Sequence, residues 1–339
     1  MGNQFRFETL ATNISAVDMD SLLVEFSITD SRNNITTYNK RFAPLKANES
    51  IPIDFDVETN GLLGDNEFRV EINPGPEQEE HHYFNNLGLR SFHVGGDNIN
   101  PLLDVTFDGV RIMNGDIVSP TPVITAILKD DNQFFPVTEV SNFSLALLTK
   151  PDNQSFPIDL NADNVTFYPA DSTNGYCARL EFIPEPALET GEYTLFVQAT
   201  DASGNLSGDS SIDIDFQVIR EATVTNILNY PNPFSTQTQF IFTLTGAQVP
   251  DVFTIQIFTL SGKVVKEITK AEMGGLRIGE NRTDYKWNGT DDFGNKLANG
   301  VYLYRLITSQ VEGEDLLHFG EENIDGFFNK GFGKLVIMR

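Results

Sequence analysis

Cys177 is the single cysteine of the 339-residue chain, and its thiol is the candidate nucleophile. A cysteine nucleophile needs a histidine base beside it in the folded chain. Cys177 lies in a strand-like stretch, whereas all four histidines are distant in sequence: His81, His82, His93 and His318. We therefore expect no catalytic residues and no enzyme activity in this chain. We interpret Cys177 as a small buried apolar residue, which has no second cysteine with which to form a bridge.

Two adjacent histidines follow an acidic run, and imidazole and carboxylate groups are competent ligands of transition metals. His81 and His82 come directly after Glu77, Glu79 and Glu80. Adjacent side chains in a strand point to opposite faces, so the two histidines would not readily share one ion. We interpret the segment as a solvated loop.

Acidic and amide side chains at predicted turns of the middle third are better candidates for a metal, because calcium takes oxygen ligands at loop ends. The candidate ligands are Asp108, Asp130, Asp201 and Asn205. The chain has no EF-hand spacing, and turns favour Asp and Asn without any ion. Two interpretations stay open, a calcium site or ordinary turn residues, and the sequence predicts no other cofactor.

The charge balance argues against one class of partner. The chain has 23 Lys and Arg residues against 48 Asp and Glu residues, which gives a net charge of −25. Because such a surface repels phosphate backbones, we expect no nucleic-acid partner. No apolar run approaches the thickness of a bilayer, and no signal peptide opens the chain, so we expect no transmembrane segment.

The hydrophobic pattern predicts an all-β chain. Apolar and polar residues alternate with a period of two between breaks at Gly, Pro, Asn and Asp, and helical spacing is nowhere sustained for three turns. Short strands at this spacing are typical of immunoglobulin-like β-sandwiches. The clearest predicted strands are Leu22–Ile28, Phe68–Ile72, Ser144–Leu148, Tyr193–Thr200, Phe253–Phe258 and Val301–Ile307.

Two breaks divide the pattern. The first is the turn-rich stretch Gly95-Gly96-Asp97-Asn98, and the second lies around residues 220–230, after the predicted strand Ile212–Ile219. The sequence therefore predicts three tandem immunoglobulin-like β-sandwich domains at residues 1–95, 96–220 and 221–339, each sized for one sandwich.

The first two ranges resemble known extracellular modules. Gly64-Asp65-Asn66-Glu67-Phe68, an acidic loop with Glu79-Glu80 and the pair Asn85-Asn86 resemble the CARDB-type adhesion-related fold. In the middle range, Gly191-Glu192-Tyr193 and Asp201-Ala202-Ser203-Gly204-Asn205 resemble bacterial Ig-like or fibronectin-like modules. Both resemblances concern the fold, and neither names a ligand.

The third range carries several motifs in a fixed order. They are Asn229-Tyr230-Pro231-Asn232-Pro233-Phe234, then Ile257 to Val265 with the turn Ser261-Gly262, then Lys286-Trp287-Asn288-Gly289-Thr290-Asp291-Asp292, then Gly300-Val301-Tyr302-Leu303-Tyr304, and finally Gly333 to Arg339. This order resembles a FlgD-type Ig-like domain and the C-terminal sorting domain of type IX secretion in Bacteroidetes. Trp287 is expected to pack between the sheets, with a turn just after it.

The order of the three modules is similar to the C-terminal part of the PorU-like family of type IX gingipain-like cysteine peptidases, whose catalytic domain would lie upstream. The resemblance implies a spacer and a sorting or docking domain, secreted or at the extracellular face of the outer membrane. It implies outer-membrane type IX components as partners, such as a PorV-like shuttle protein.

The expected docking residues are Lys334, Leu335, Val336, Ile337, Met338 and Arg339, which a receptor would read by strand pairing at the sheet edge and by charge. An acidic insertion between Ser309 and Lys330 departs from the family pattern and leaves cleavage of the domain open.

An adhesin or carbohydrate-binding fragment is the alternative function. Sandwiches bind sugars through exposed aromatic side chains, and Tyr83, Phe84, Phe134 and Phe135 are the candidate platform. Because side chains alternate along a strand, one member of each pair is expected to point into the core.

Overall fold

The computed structural model describes residues 2–75, 77–150, 154–309 and 332–339. Within these ranges the regular structure is almost entirely β-strand, with one short α-helix, α1 (Lys270–Met273), and one 3-10 turn at Val140–Asn142. No helix of the described residues has the length and apolar character needed to cross a bilayer. The strands form three consecutive two-sheet sandwiches, called here the first, second and third domain.

The first domain contains β1 (Gln4–Thr12), β2 (Met19–Thr29), β3 (Ile35–Leu45), β4 (Ser50–Glu58), β5 (Gly64–Ile72) and β6 (Leu87–Val94). One sheet pairs β1 with β4, and the other has the order β3-β2-β5-β6, with all pairs antiparallel. Alternate residues of β2 point inward, as a period of two requires, and are fully buried: Leu22, Val24 and Phe26. The Phe26 ring stacks on Phe55 at a centroid distance of 4.5 Å.

The second domain contains β7 (Leu102–Phe107), β8 (Asp116–Val118), β9 (Ile124–Lys129), β10 (Phe143–Lys150), β11 (Gln154–Pro157), β12 (Val165–Tyr168), β13 (Cys177–Phe182), β14 (Gly191–Ala199) and β15 (Ile212–Val218). Its sheets have the orders β12-β13-β9-β7 and β11-β10-β14-β15-β8. The pairing of β15 with β8 is parallel, and the others are antiparallel. The sheets meet at Phe216, which packs between Phe107 and Tyr193.

The third domain contains β16 (Val224–Tyr230), β17 (Gln239–Leu244), β18 (Val252–Phe258), β19 (Val264–Thr269), β20 (Gly279–Arg282), β21 (Gly300–Ser309) and β22 (Gly333–Ile337). Its sheets have the orders β16-β17-β20 and β19-β18-β21-β22. Trp287 is fully buried in the core and donates its indole N–H to the carbonyl oxygen of Thr290 at 2.9 Å, which satisfies its one polar atom.

Each of the three sandwiches has its own cluster of buried apolar side chains. The all-β prediction is confirmed, and the six clearest predicted strands coincide with parts of β2, β5, β10, β14, β18 and β21. The boundaries at 95/96 and 220/221 stay predictions. One residue of the second range, Ile117, packs against the third core, so the second and third domains touch there.

The loop between β5 and β6 shows how the acidic and asparagine residues of the first domain are used. Asn73 has a left-handed backbone, with φ of 55°, and donates from its side-chain amide to Glu80 Oε1 at 2.6 Å. Asn86 donates to the same oxygen at 3.0 Å. The Glu80 carboxylate therefore ties both ends of the loop together, which is a structural use of these residues.

Replacing Phe26 with alanine is expected to lower the free energy of unfolding of the first domain by about 3–5 kcal/mol, because a fully buried, stacked ring is removed. Trp287 is the single tryptophan of the chain and lies in the third core, so its fluorescence reports on that domain alone. In urea, the Trp287 transition should stay within about 0.5 kcal/mol of the wild type while circular dichroism shows the loss. If the circular dichroism and Trp287 fluorescence transitions shifted equally, the independence of the first and third cores would be contradicted.

Candidate functional site

The strand β22, which contains most of the predicted docking residues, is an integral part of the third sandwich. It pairs antiparallel with β21, with Tyr302 opposite Leu335 and Gly300 opposite Ile337. Leu335 and Ile337 are buried in the core, whereas Lys334 and Met338 are exposed and Val336 is partly exposed. The strand therefore uses one face for packing and offers the other to solvent.

The outer edge of β22 is occupied by the proline-rich motif. Asn232 donates from Nδ2 to the Lys334 carbonyl oxygen at 2.9 Å, and its Oδ1 accepts the Val336 N–H at 3.0 Å. The Phe234 N–H donates to the Val336 carbonyl oxygen at 3.1 Å, and the Met338 N–H donates to the Phe234 carbonyl oxygen at 2.8 Å. Four main-chain groups on this edge therefore have partners within the domain, which argues against recognition of the edge by strand pairing.

Arg339 is held by the turn that follows the buried tryptophan. Its guanidinium donates to the carbonyl oxygens of Leu297 at 2.7 Å, Asn288 at 2.8 Å and Gly289 at 2.9 Å, and its backbone N–H donates to Asn299 Oδ1 at 3.0 Å. Gly289 has a φ of +74°, and a Cβ there would lie 2.6 Å from Arg339 Nη2. Arg339 keeps its positive charge in these bonds, because its acceptors are neutral carbonyl oxygens, and both Arg339 and Lys334 are exposed.

We call this arrangement the terminal clasp: Asn232 and Phe234 on one edge of β22, β21 on the other, and Gly289 against Arg339. Three of the ordered motifs, those that begin at Asn229, Lys286 and Gly300, thus supply the parts that hold β22. The outer face of the clasp combines the side chains of Lys334, Val336 and Met338.

A second candidate site lies where the first domain joins the second. Asp97 belongs to the connection between β6 and β7, Asp130 follows β9, and Asp201 follows β14. One carboxylate oxygen from each of the three lies within 4.8 Å of the other two. We call this group the joint carboxylates. Because β9 and β14 belong to different sheets, the group connects the linker with both sheets of the second domain.

The structure brings together Asp130, Asp201 and Asn205 of the predicted calcium ligands. Asn205 donates to Asp201 from its backbone N–H at 2.8 Å and from Nδ2 at 2.7 Å, and Nδ2 also donates to the Asp97 carbonyl oxygen at 3.1 Å. Asn205 thus positions the linker beside Asp201. Sequence reasoning missed Asp97, which it placed only in a turn-rich break.

Asp108 lies away from this group. The antiparallel pairing of β7 with β9 sets Leu102 opposite Lys129 and Phe107 opposite Ile124. Asp108, after Phe107, is therefore at the opposite end of the strand pair from Asp130, about 20 Å away at the usual rise per residue. Its Oδ1 accepts the Val123 N–H at 2.9 Å, so it serves the local turn.

The joint carboxylates are poorly compensated. Asp130 Oδ2 and Asp97 Oδ2 are buried and accept no hydrogen bond, and no ion pair among the described residues involves any of the three carboxylates. The pKa of Asp130 is raised to about 6, chiefly by burial and also by the negative charges of Asp201 and Asp97, while the N–H groups of Asn132 and Asp131 act in the opposite direction.

The other predicted chemical groups are dispersed. The Cys177 thiol donates to the Gly175 carbonyl oxygen at 3.6 Å. His93 contacts Asp65 at 2.7 Å between Nδ1 and Oδ1, and His81 and His82 are exposed in the β5–β6 loop. His318 and the acidic insertion after Ser309 lie outside the described residues.

The four candidate sugar-binding aromatics do not form one platform. In the β5–β6 pair, Gly64 lies opposite Val94 at the joint end, and Glu71 lies opposite Leu87 at the far end. Tyr83 and Phe84 are exposed in the loop at that far end. Phe134 lies at the joint, where a Cβ on Gly2 would be 2.5 Å from its carbonyl oxygen. The two pairs are therefore separated by the length of the first domain.

Comparison with known proteins gives likenesses of fold only. No protein-family profile matches the chain, and no curated protein matches it. Dimeric latent PorU from Porphyromonas gingivalis is 17% identical, with a TM-score of 0.29, over 94% of this chain and 30% of that one. The FN1-FN3 domains of chicken CNTN1 are 12% identical, with a TM-score of 0.29, over 97% of this chain and 98% of that one. The BSP domain of a biofilm-associated protein is 9% identical, with a TM-score of 0.20, over 98% of this chain and 80% of that one. This chain thus spans about 30% of the PorU chain.

Gly289→Ala is expected to destabilise the third domain by about 1–2 kcal/mol more than Gly294→Ala, measured by Trp287 fluorescence in urea. Both glycines have positive φ, so both variants carry the left-handed strain, but a Cβ at Gly294 meets nothing within 4 Å. The excess at Gly289 reports on displacement of Arg339. In an Arg339→Ala background the excess should fall, leaving only the contact with Ile337 Cδ1 at 3.2 Å, and an undiminished excess would contradict the clasp.

With EDTA present, the stability of the second domain should fall as pH rises from about 4 to about 7, and Asp130→Asn should remove this contribution. Folded Asp130 keeps its proton up to about pH 6, whereas the unfolded chain releases it near pH 4, so folding takes up a proton between these values. The contribution is fully present below about pH 4 and lost above about pH 6, and it amounts to at most about 3 kcal/mol. Thermal unfolding of the wild type and of Asp130→Asn across this pH range measures the contribution. If the stabilities of the two proteins change with pH in the same way, the raised pKa of Asp130 is contradicted.

Proposed function

We propose that this chain is the non-catalytic part of a secreted or outer-membrane-associated type IX secretion protein, in which the first two domains act as a spacer and the third is a sorting or docking domain. The observation that carries this proposal is the terminal clasp. Motifs that resemble those of type IX sorting domains, and that are separated by up to about a hundred residues in sequence, converge on the two edges of β22.

The clasp leaves one surface for a receptor. Most main-chain groups of β22 are bonded within the domain, so recognition falls to the side chains of Lys334, Val336 and Met338, which are exposed or partly exposed. Val301 and Leu303 lie opposite Val336 and Lys334 in the neighbouring strand, and both are partly exposed. The result is an apolar patch with an exposed cation, on a chain whose net charge is −25. A side-chain docking surface of this kind fits an outer-membrane partner such as a PorV-like shuttle protein.

In this proposal, none of the 339 residues has a catalytic role. A gingipain-like cysteine peptidase domain, in a parent protein of the resembled family, belongs upstream of the chain, and the 339 residues serve to place it at the extracellular face of the outer membrane. The adhesin alternative has less support, because its four aromatic candidates lie at two ends of the first domain.

Lys334→Glu combined with Met338→Ser is expected to lower surface delivery at least fivefold without unfolding the third domain, because both side chains are exposed. The full chain, carrying a secretion signal, is produced in a type IX-competent host, and the surface fraction is measured by protease accessibility on intact cells. Trp287 fluorescence checks folding of the purified variant.

Lys263→Glu is the matched control, since Lys263 is an exposed lysine in the turn between β18 and β19, and β18 lies two strands away from β22 in the same sheet. It should be delivered like the wild type. Equal delivery of wild type, control and double variant would refute docking through this patch, and an equal loss in the control would attribute the effect to net charge instead.

A further inference from the structure

The joint carboxylates are three acidic side chains that the fold forces together. Asp97 comes from the linker, and Asp130 and Asp201 come from the ends of strands in two different sheets. Their nearest oxygens lie within 4.8 Å of one another. Two oxygens bound to one calcium ion at 2.3–2.6 Å are separated by at most about 5 Å, so the spacing fits a single ion.

An independent observation points to a ligand. Asp130 is 8% exposed, and its Oδ2 is buried without a hydrogen-bond partner. Asp97 Oδ2 is also buried and has no hydrogen-bond partner. Buried carboxylate oxygens are ordinarily satisfied by donors or by a metal, because an uncompensated buried charge is costly. Here two such oxygens belong to one group of three carboxylates, which has no ion-pair partner among the described residues.

We infer that Asp97, Asp130 and Asp201 bind a calcium ion at the joint between the first and second domains. All ligand atoms are oxygens, which suits a hard cation, and the group offers neither the imidazole nor the thiolate ligands that zinc and copper favour. Calcium accepts irregular oxygen sets, whereas magnesium keeps several waters and requires octahedral geometry. Asn205 is a positioning residue, because its amide nitrogen donates to both Asp201 and the linker.

The ion would fix the orientation of the first domain. Asp97 lies three residues after the last strand of the first domain, which ends at Val94, and the ion ties it to two strand ends of the second. Gly2, at the start of the first domain, packs against the backbone of Phe134, in the loop that begins after Asp130. Binding at the carboxylates therefore orders both segments through which the domains meet, and a stiff spacer results.

The test is calcium titration of the full chain, stripped with EDTA and desalted, followed by isothermal calorimetry. One saturable site with a dissociation constant below about 1 mM is expected. Asp97→Asn and Asp130→Asn should each weaken binding at least tenfold, and magnesium should bind at least tenfold more weakly than calcium. Asp131→Asn removes an exposed neighbouring carboxylate and should leave affinity within twofold. Calcium should slow hydrogen exchange at residues 95–101 and 201–205 in the wild type and not in Asp97→Asn.

Several outcomes would overturn the site. They are the absence of saturable binding up to about 10 mM, wild-type affinity in either Asp97→Asn or Asp130→Asn, and equal affinity for magnesium. Asp97 is the decisive position, because it is half-buried in a linker and Asn has its shape, so this variant keeps the fold. Circular dichroism confirms folding of each variant. Binding weakened equally by Asp131→Asn would show diffuse attraction to an acidic surface and would also overturn the assignment.

Discussion

Buried polar groups must find partners, and this requirement explains both sites of the chain. At the outer edge of β22 the requirement is met by groups of the third domain itself. A last strand normally leaves one row of main-chain groups open, but Asn232 and Phe234 bond that row of β22 and β21 bonds the other. The strand is thereby held in the sandwich, and its exposed side chains face solvent. Such a surface favours recognition by shape and charge over strand addition.

Where the first domain joins the second, the protein itself supplies no partners for two buried carboxylate oxygens. Asp97 and Asp130 each bury an oxygen without a donor, and Asp201 lies beside them at 1% exposure. The group is costly while it lacks a cation and stabilising once one is bound, so its occupancy is coupled to the order of the linker. If the proposed calcium ion binds here, the stiffness of the connection between the first two domains depends on the calcium concentration.

The sequence predicted what depends on local pattern. Alternation located the strands and their cores, and the motif order located Trp287 and the turn after it. It did not predict contacts set by topology. The outer edge of β22 is closed by residues about a hundred positions earlier, and Asp97 joins Asp130 and Asp201 only because three strand ends meet. Asp108 and Asp130 share a residue type and a turn context, yet antiparallel pairing of β7 and β9 separates them.

We propose that this chain is delivered through the type IX machinery. The most direct measurement compares the full chain, carrying a secretion signal, in a type IX-competent host and in the same host with its outer-membrane translocon inactivated. If the proposal holds, the protein is accessible to protease on intact competent cells, and it is retained in the periplasm of the inactivated strain. The same distribution in both strains, whether surface or periplasmic, would contradict it.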